Sequence, residues 1–244
     1  MTSTSERQRT GLYPDGSPHP PPELRRRVLV EILIIIAAAF LYVGLMPAHR
    51  PMGLDIGLAM VAMALVWLFA RESCERCWGE PASPMFDRTR RCITLMLTAT
   101  VPTVIVFFIF GGVHAYVTHK EIGAVIHRLF NPFFFVTLVA YVPWALLQQN
   151  LFQFYLMGRL RALLPFASPF LLSILIGILY GAVHMNDWRV APVTFIGGVI
   201  WSYSYHRDRY VWPLAISHAA LATTYYYWVL DHDLFQSLID GFKR

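Results

Sequence analysis

The chain repeatedly runs for about 20 residues with almost no charge, and nothing else in it limits the fold as strongly. A bilayer's hydrocarbon core is crossed by about 20 predominantly apolar residues, with a range of about 17–25. Inside hydrocarbon a backbone amide finds no water to bond, so such runs must be helices. By that measure 28–46, 54–70, 93–113, 133–157, 169–185, 190–205 and 210–230 read as about seven spans, with 6–8 possible because the sixth is short. Residues 114–129 read as an interfacial helix. The fold class is all-α, a polytopic transmembrane helical bundle.

Composition excludes the alternatives. Hydrophobic residues make up 56% and charged residues 14% of the 244. Soluble domains hold about 45–50% and about 25%. A disordered chain, a secreted disulfide scaffold and an ordinary soluble enzyme are ruled out. Three cysteines build no disulfide framework, and Cys74-x-x-Cys77 has no histidine in its loop to complete a zinc site. No metal and no other cofactor is expected.

The net charge of +5 does not point to nucleic acid, because the arginines flank the apolar runs, where they set topology. Arg25-Arg26-Arg27 precedes the first span. Arg71, Arg76, Arg88, Arg90 and Arg91 follow the second, Arg159 and Arg161 the fourth, Arg207 and Arg209 the sixth. The remaining connections carry fewer basic groups: Arg50, then Lys120 and Arg128, then Arg189. This alternation places the N-terminus in the cytoplasm and, for seven spans, the C-terminus outside. The domains read as a Pro-rich cytoplasmic tail (1–24), N-terminal transmembrane helices (25–130), a core (131–230) and a C-terminal tail (231–244).

A polar side chain deep in a span is expensive and marks function by default. The candidates are Gln148, Gln149, Asn150 and Gln153 in the fourth span, His184 at the end of the fifth and His218 in the seventh. Gln149 and Gln153 share a helical face by their i, i+4 spacing, as do Tyr180 and His184. At about 1.5 Å rise per residue their depths are compatible with one cavity near mid-membrane. Interhelical glue is the plain alternative, worth about 0.6 kcal/mol per contact.

At these residues the sequence resembles the CPBP family. Its members are the CAAX-protease and bacteriocin-processing membrane proteins, also called glutamic-type intramembrane proteases. The family's Glu-Glu-x-x-Phe-Arg-Gly-Tyr-Leu corresponds to Gln148-Gln149-Asn150-Leu151-Phe152-Gln153-Phe154-Tyr155-Leu156. Its aromatic-x-x-x-His corresponds to Tyr180-Gly181-Ala182-Val183-His184, and its His-x-x-x-Asn to His218-Ala219-Ala220-Leu221-Ala222. Gly197-Gly198 and Trp212-Pro213 resemble the family's small-residue helix and the entry to its last motif. The resemblance spans roughly 130–225.

What the resemblance implies is a site at His184, His218, Gln148 and Gln149, supported by Gln153, Tyr180 and Ala222. In the family the first glutamate works with the histidines to activate water, and the asparagine helps to hold the oxyanion. Here both glutamates and the arginine are glutamine, and the asparagine is alanine. A neutral amide takes no proton from water. A lost general base costs about 10²–10⁴-fold and a lost oxyanion donor about 10²–10³-fold. The replacements are mutually consistent, because the anions and their cation are absent together.

The favoured reading is a membrane-embedded, catalytically impaired or non-catalytic member of this family. It would bind a peptide or a membrane-anchored partner protein in an intramembrane cavity. It would lie in the bilayer of a bacterial inner (cell) membrane. The alternative is an active intramembrane endopeptidase with a His-centred site, processing C-terminal, CAAX-like or membrane-anchored peptides. Asp187, three residues after His184, is then a candidate to orient its ring, against the plainer reading of a solvated loop residue. A b-type haem held by His184 and His218 is a third class of reading, and nothing else in the sequence asks for iron.

Overall fold

A computed structural model describes residues 21–45 and 84–242, with positions 57, 60, 61, 63, 64, 66 and 67. The tail 1–20 and Cys74-x-x-Cys77 lie outside the described residues, as does most of the predicted second span. All regular structure among the described residues is helical. The elements are α1 (Pro22–Leu45), α2 (Met85–His119), α3 (Ile122–Leu129) and α4 (Phe133–Gln149). A π-helical segment (Asn150–Leu156) follows and runs into α5 (Met157–Leu163). Then come α6 (Pro169–Ala182), α7 (Ala191–Asp208) and α8 (Val211–Thr224). A second π-helical segment (Tyr225–Val229) precedes α9 (Leu234–Phe242).

Two stretches, Met85–His119 and Ile122–Leu163, are long and apolar enough to cross a membrane. Only 11% and 22% of their most apolar windows is buried. A soluble core helix would hide that surface. Here Val101, Ile105, Val106, Ile109, Phe110 and Val113 of α2 all stand exposed, a face that suits lipid.

The ends depart from the sequence reading in four places. Helix α2 runs on to His119, then Lys120 takes a left-handed conformation (φ 54°) and separates it from the short amphipathic α3. The single interfacial helix expected over 114–129 is therefore broken. Helix α6 is started by Ser168, whose Oγ accepts the Leu171 N–H at 3.1 Å, with Pro169 in the first turn. It stops at Ala182, short of the expected 185. Gln153 sits in a π-helical segment, so the i, i+4 reading from Gln149 assumed a regularity the helix lacks. Residues 231–244, read as a tail, contain α9.

The chain divides into two compact units. The first comprises Met1–Ala48, Met60–Thr89 and Asn150–Arg209. Its centre is the packing of α6 on α7, made close by glycine. A Cβ built on Gly198 would stand 2.9 Å from the Tyr180 Cβ and 3.0 Å from the Gly177 Cα. Small residues let membrane helices approach this way, so dispersion replaces the missing hydrophobic drive.

The second unit comprises His49–Ala59, Arg90–Gln149 and Tyr210–Arg244. Here α4 packs on α8 through fully buried Ala145, Ala215 and Ala219. A second cluster joins Leu129, Phe134, Tyr227 and Trp228, with Phe134 stacked on Trp228 at 5.0 Å. The Thr100 and Ser217 hydroxyls bond at 2.7 Å between α2 and α8. Asp233 caps α9, its Oδ1 accepting the Phe235 and Gln236 N–H groups at 2.9 and 3.0 Å and the Tyr227 hydroxyl at 2.7 Å. Phe235 stacks on Phe133 at 5.0 Å.

Replacing Gly198 by alanine should destabilise the protein by about 1–3 kcal/mol, since its neighbours include a backbone Cα. Gly123→Ala, with nothing within 4 Å of the added methyl, should be neutral or stabilising by up to about 1 kcal/mol. Thermal unfolding in detergent measures both, and equal midpoints for the two variants would contradict this packing.

Burial raises the Asp233 carboxyl pKa, but hydrogen bonds from the Gln236 N–H, Tyr227, Asn131 and the Phe235 N–H outweigh it and hold the group below the ordinary carboxylate value. A depressed folded value means stability that is complete above the ordinary range and is lost as pH falls through the folded value. Asp233→Asn should flatten that part of the acid limb. Superimposable stability profiles from pH 7 to 3 would show that the cap carries no such linkage.

Candidate functional site

In the second unit, α4 and α8 bring together two of the residues expected at the site. Gln149, the last residue of α4, is fully buried, and His218 on α8 is 3% exposed. The Gln149 Nε2 donates to His218 Nδ1 at 3.4 Å. An imidazole nitrogen that accepts carries no proton, so this contact puts the proton of a neutral His218 on Nε2. Tyr141, two turns before Gln149, sets its ring edge-on to His218 at 6.0 Å. The apolar wall is the alanine cluster with Leu138, Tyr141, Val142 and Leu146. Gln149 Oε1 and Gln148 Oε1 are buried with no hydrogen-bond partner among the described residues. Ala222 lies one turn beyond His218, half-buried, and its methyl offers no hydrogen bond.

In the first unit, Tyr180 is fully buried. Its ring packs on Phe152 at 4.0 Å and on Trp201 at 5.7 Å. His184 lies in the turn after α6, with Nδ1 2.7 Å from the Tyr180 carbonyl oxygen. A carbonyl only accepts, so His184 carries its proton on Nδ1 and presents a lone pair at Nε2. This contact also accounts for the end of α6. In a continued helix the Tyr180 carbonyl would take the His184 N–H, but the ring takes it and the N–H turns to Gly181 at 3.0 Å. Gln153 is fully buried, and neither end of its amide has a partner among the described residues.

Asp187 does not hold the His184 Nδ1. Both of its carboxylate oxygens accept from the Arg189 guanidinium, at 3.0 and 2.8 Å. The expectation of a solvated loop acid fits better, because arginine two residues away competes for it.

Sequence reading missed the charged cluster of the first unit. Arg159, counted there as a connecting-loop charge, is 2% exposed inside α5. Its Nη2 lies 2.8 Å from Glu31 Oε2, which also accepts the Tyr155 hydroxyl at 2.9 Å. Arg27 Nε donates to Glu31 Oε1 at 3.0 Å. Arg159 further stacks over the Tyr155 ring at 4.8 Å. The legible signal was a lone acid at the start of a span and a Tyr155–Arg159 pair at i, i+4 spacing. Three donors, from Arg159, Tyr155 and Arg27, thus converge on the Glu31 carboxylate.

The described residues are all helical, and two stretches are long and apolar enough to cross a membrane. Residues 129–224 match the family described as Type II CAAX prenyl endopeptidase Rce1-like. Residues 129–224 are thus similar to a CAAX-protease-like domain of a membrane-embedded family, over nearly the stretch that the motifs marked. No curated protein and no solved structure matches it.

Removing one partner of a buried ion pair strands the other. Glu31→Ala should destabilise the protein by about 3–5 kcal/mol, and Glu31→Ala with Arg159→Met should recover much of the loss. Urea titration in detergent tests this. A double variant no more stable than Glu31→Ala alone would show that the pair is not the source of the effect.

Proposed function

We propose that this protein is a non-catalytic member of the CAAX-protease-like membrane proteins that retains the family's binding cavity. Its occupant would be a peptide or a membrane-anchored partner protein. The observation that carries this reading is the Gln149–His218 pair. A neutral amide stands on the imidazole at the motif position where the family places a carboxylate. The amide orients the ring and holds no proton to exchange. Gln148, Gln153, His184 and Ala222 take the remaining motif positions, so the set is uncharged apart from histidine protonation.

The bilayer arrangement belongs to the same proposal. Seven spans with a cytoplasmic N-terminus, in a bacterial inner membrane, are supported by the arginine alternation. They are also supported by Arg88, in the first turn of α2, which donates to the Asp208 carbonyl oxygen at the end of α7 at 3.3 Å. Both helix ends adjoin connections expected on the cytoplasmic side.

One observation favours a second reading. His184 presents an unprotonated Nε2 because Nδ1 is committed to Tyr180, and that is the form a histidine base requires. An endopeptidase centred on His184 would need no glutamate.

Cleavage of a membrane-embedded reporter peptide by purified protein in liposomes separates the two. The wild type should show little turnover. Gln148→Glu alone should remain silent, because a buried acid without its cation stays protonated. Gln148→Glu, Gln149→Glu, Gln153→Arg and Ala222→Asn together restore both charge balance and chemistry, and should be the first combination to show activity. Robust wild-type turnover, abolished by His184→Ala and by His218→Ala, would overturn the non-catalytic reading.

A further inference from the structure

The C-terminal end of α7 collects cations from separate parts of the first unit. His206, Arg207 and Arg209 lie on or just beyond its last turn, and Arg209 caps it in a left-handed conformation (φ 51°). Arg88 reaches the same end from the start of α2, its Nη1 bonded to the Asp208 carbonyl oxygen at 3.3 Å. Asp208 is fully buried and accepts the Arg207 Nε and Nη2 on one oxygen, at 2.9 and 2.8 Å. Asp87, beside Arg88, is exposed in the first turn of α2.

A helix C-terminus welcomes positive charge, worth about 0.3–1 kcal/mol for one group in its last turn. That accounts for Arg207 or Arg209. It does not account for the guanidinium of Arg88 brought in from another helix. The electrostatics agree. Burial, followed by the charges of Arg161 and Arg209, pushes His206 down to about 4. Burial, then Arg161 and more weakly Arg88, lowers Arg209 to about 10, against a smaller opposing effect of Tyr205. Arg161 in the last turn of α5 therefore belongs to the same field. Such a concentration of like charge favours an anion.

Its place selects the kind of anion. Helix α7 has 18 residues and is about 27 Å long. That is close to the thickness of a hydrocarbon core, and on the bilayer arrangement proposed above, on which this inference rests, its end falls at headgroup depth. Guanidinium groups suit phosphate oxygens, and the cytoplasmic leaflet is the one rich in anionic lipid.

We propose that Arg88, Arg161, Arg207 and Arg209 form a site for the phosphate of an anionic phospholipid headgroup. The lipid would seat the end of α7 at a fixed depth. The site does not depend on whether the protein cleaves peptides.

Native mass spectrometry of the full-length chain in detergent tests the site, with phosphatidylglycerol, phosphatidylcholine and inorganic phosphate as probes. Phosphatidylglycerol should be retained in preference to phosphatidylcholine, and millimolar inorganic phosphate should not displace it. Arg161→Gln with Arg209→Gln should weaken phosphatidylglycerol about 25-fold, each arginine near an anionic surface being worth about five-fold. Arg25→Gln with Arg26→Gln removes the same net charge elsewhere and should leave binding unchanged. Arg161→Lys with Arg209→Lys keeps the charge and should retain most of the affinity, which covers the case of a glutamine variant that fails to fold. Equal retention of the two lipids, displacement by inorganic phosphate, or equal weakening by both glutamine pairs would each overturn the proposal.

Discussion

Hydrocarbon offers no partner to a polar group, and the structure is arranged around that fact. Hydroxyls inside helices turn back on their own carbonyls: Thr103 on Ala99, Ser173 on Pro169, Thr224 on Ala220. Between helices the hydroxyls pair with each other, as Thr100 does with Ser217 and Thr137 with Tyr227. The same demand shapes the candidate site. His184 ends its helix by taking a carbonyl with its ring, and Gln149 meets a histidine nitrogen with an amide. Charge survives in the helices where it is matched, as Arg159 is by Glu31.

The glutamine and histidine motif positions are polar without fixed charge. A carboxylate at Gln149 would have to be balanced by a cation, and the motif position for that cation is occupied by Gln153. An unbalanced acid would be held protonated by burial. Buried amide atoms of Gln148 and Gln149 in the second unit, and of Gln153 in the first, have no hydrogen-bond partner among the described residues, and each costs free energy while it stays unpaired.

Much of this was legible in the sequence. Long apolar runs announce helices whatever their tertiary partners, and Ser168-Pro169 announces where one begins. The pairing of Gln149 with His218 was legible through motif order. Other features depend on contacts that a one-dimensional pattern does not carry. Asn150–Leu156 reads as ordinary helix, because nothing in its composition distinguishes i+5 from i+4 bonding. The end of α6 was hidden because Val183 and Met185 are as apolar as the helix before them, and a ring bond decides the matter. Arg159 looked like one more loop arginine because its acid lies far away in sequence.

That distance matters during synthesis. Tyr155 lies 124 residues after Glu31, and Arg159 comes one turn later. At about 5–20 residues per second the ribosome needs roughly 6–25 s to make that stretch. Throughout that interval the first helix holds a carboxylate whose principal cation does not yet exist. Among the described residues Arg27, one turn away, is an early companion that stays with it in the finished structure. The Glu31–Arg159 contact that ties α1 to α5 therefore closes only once α5 has been made.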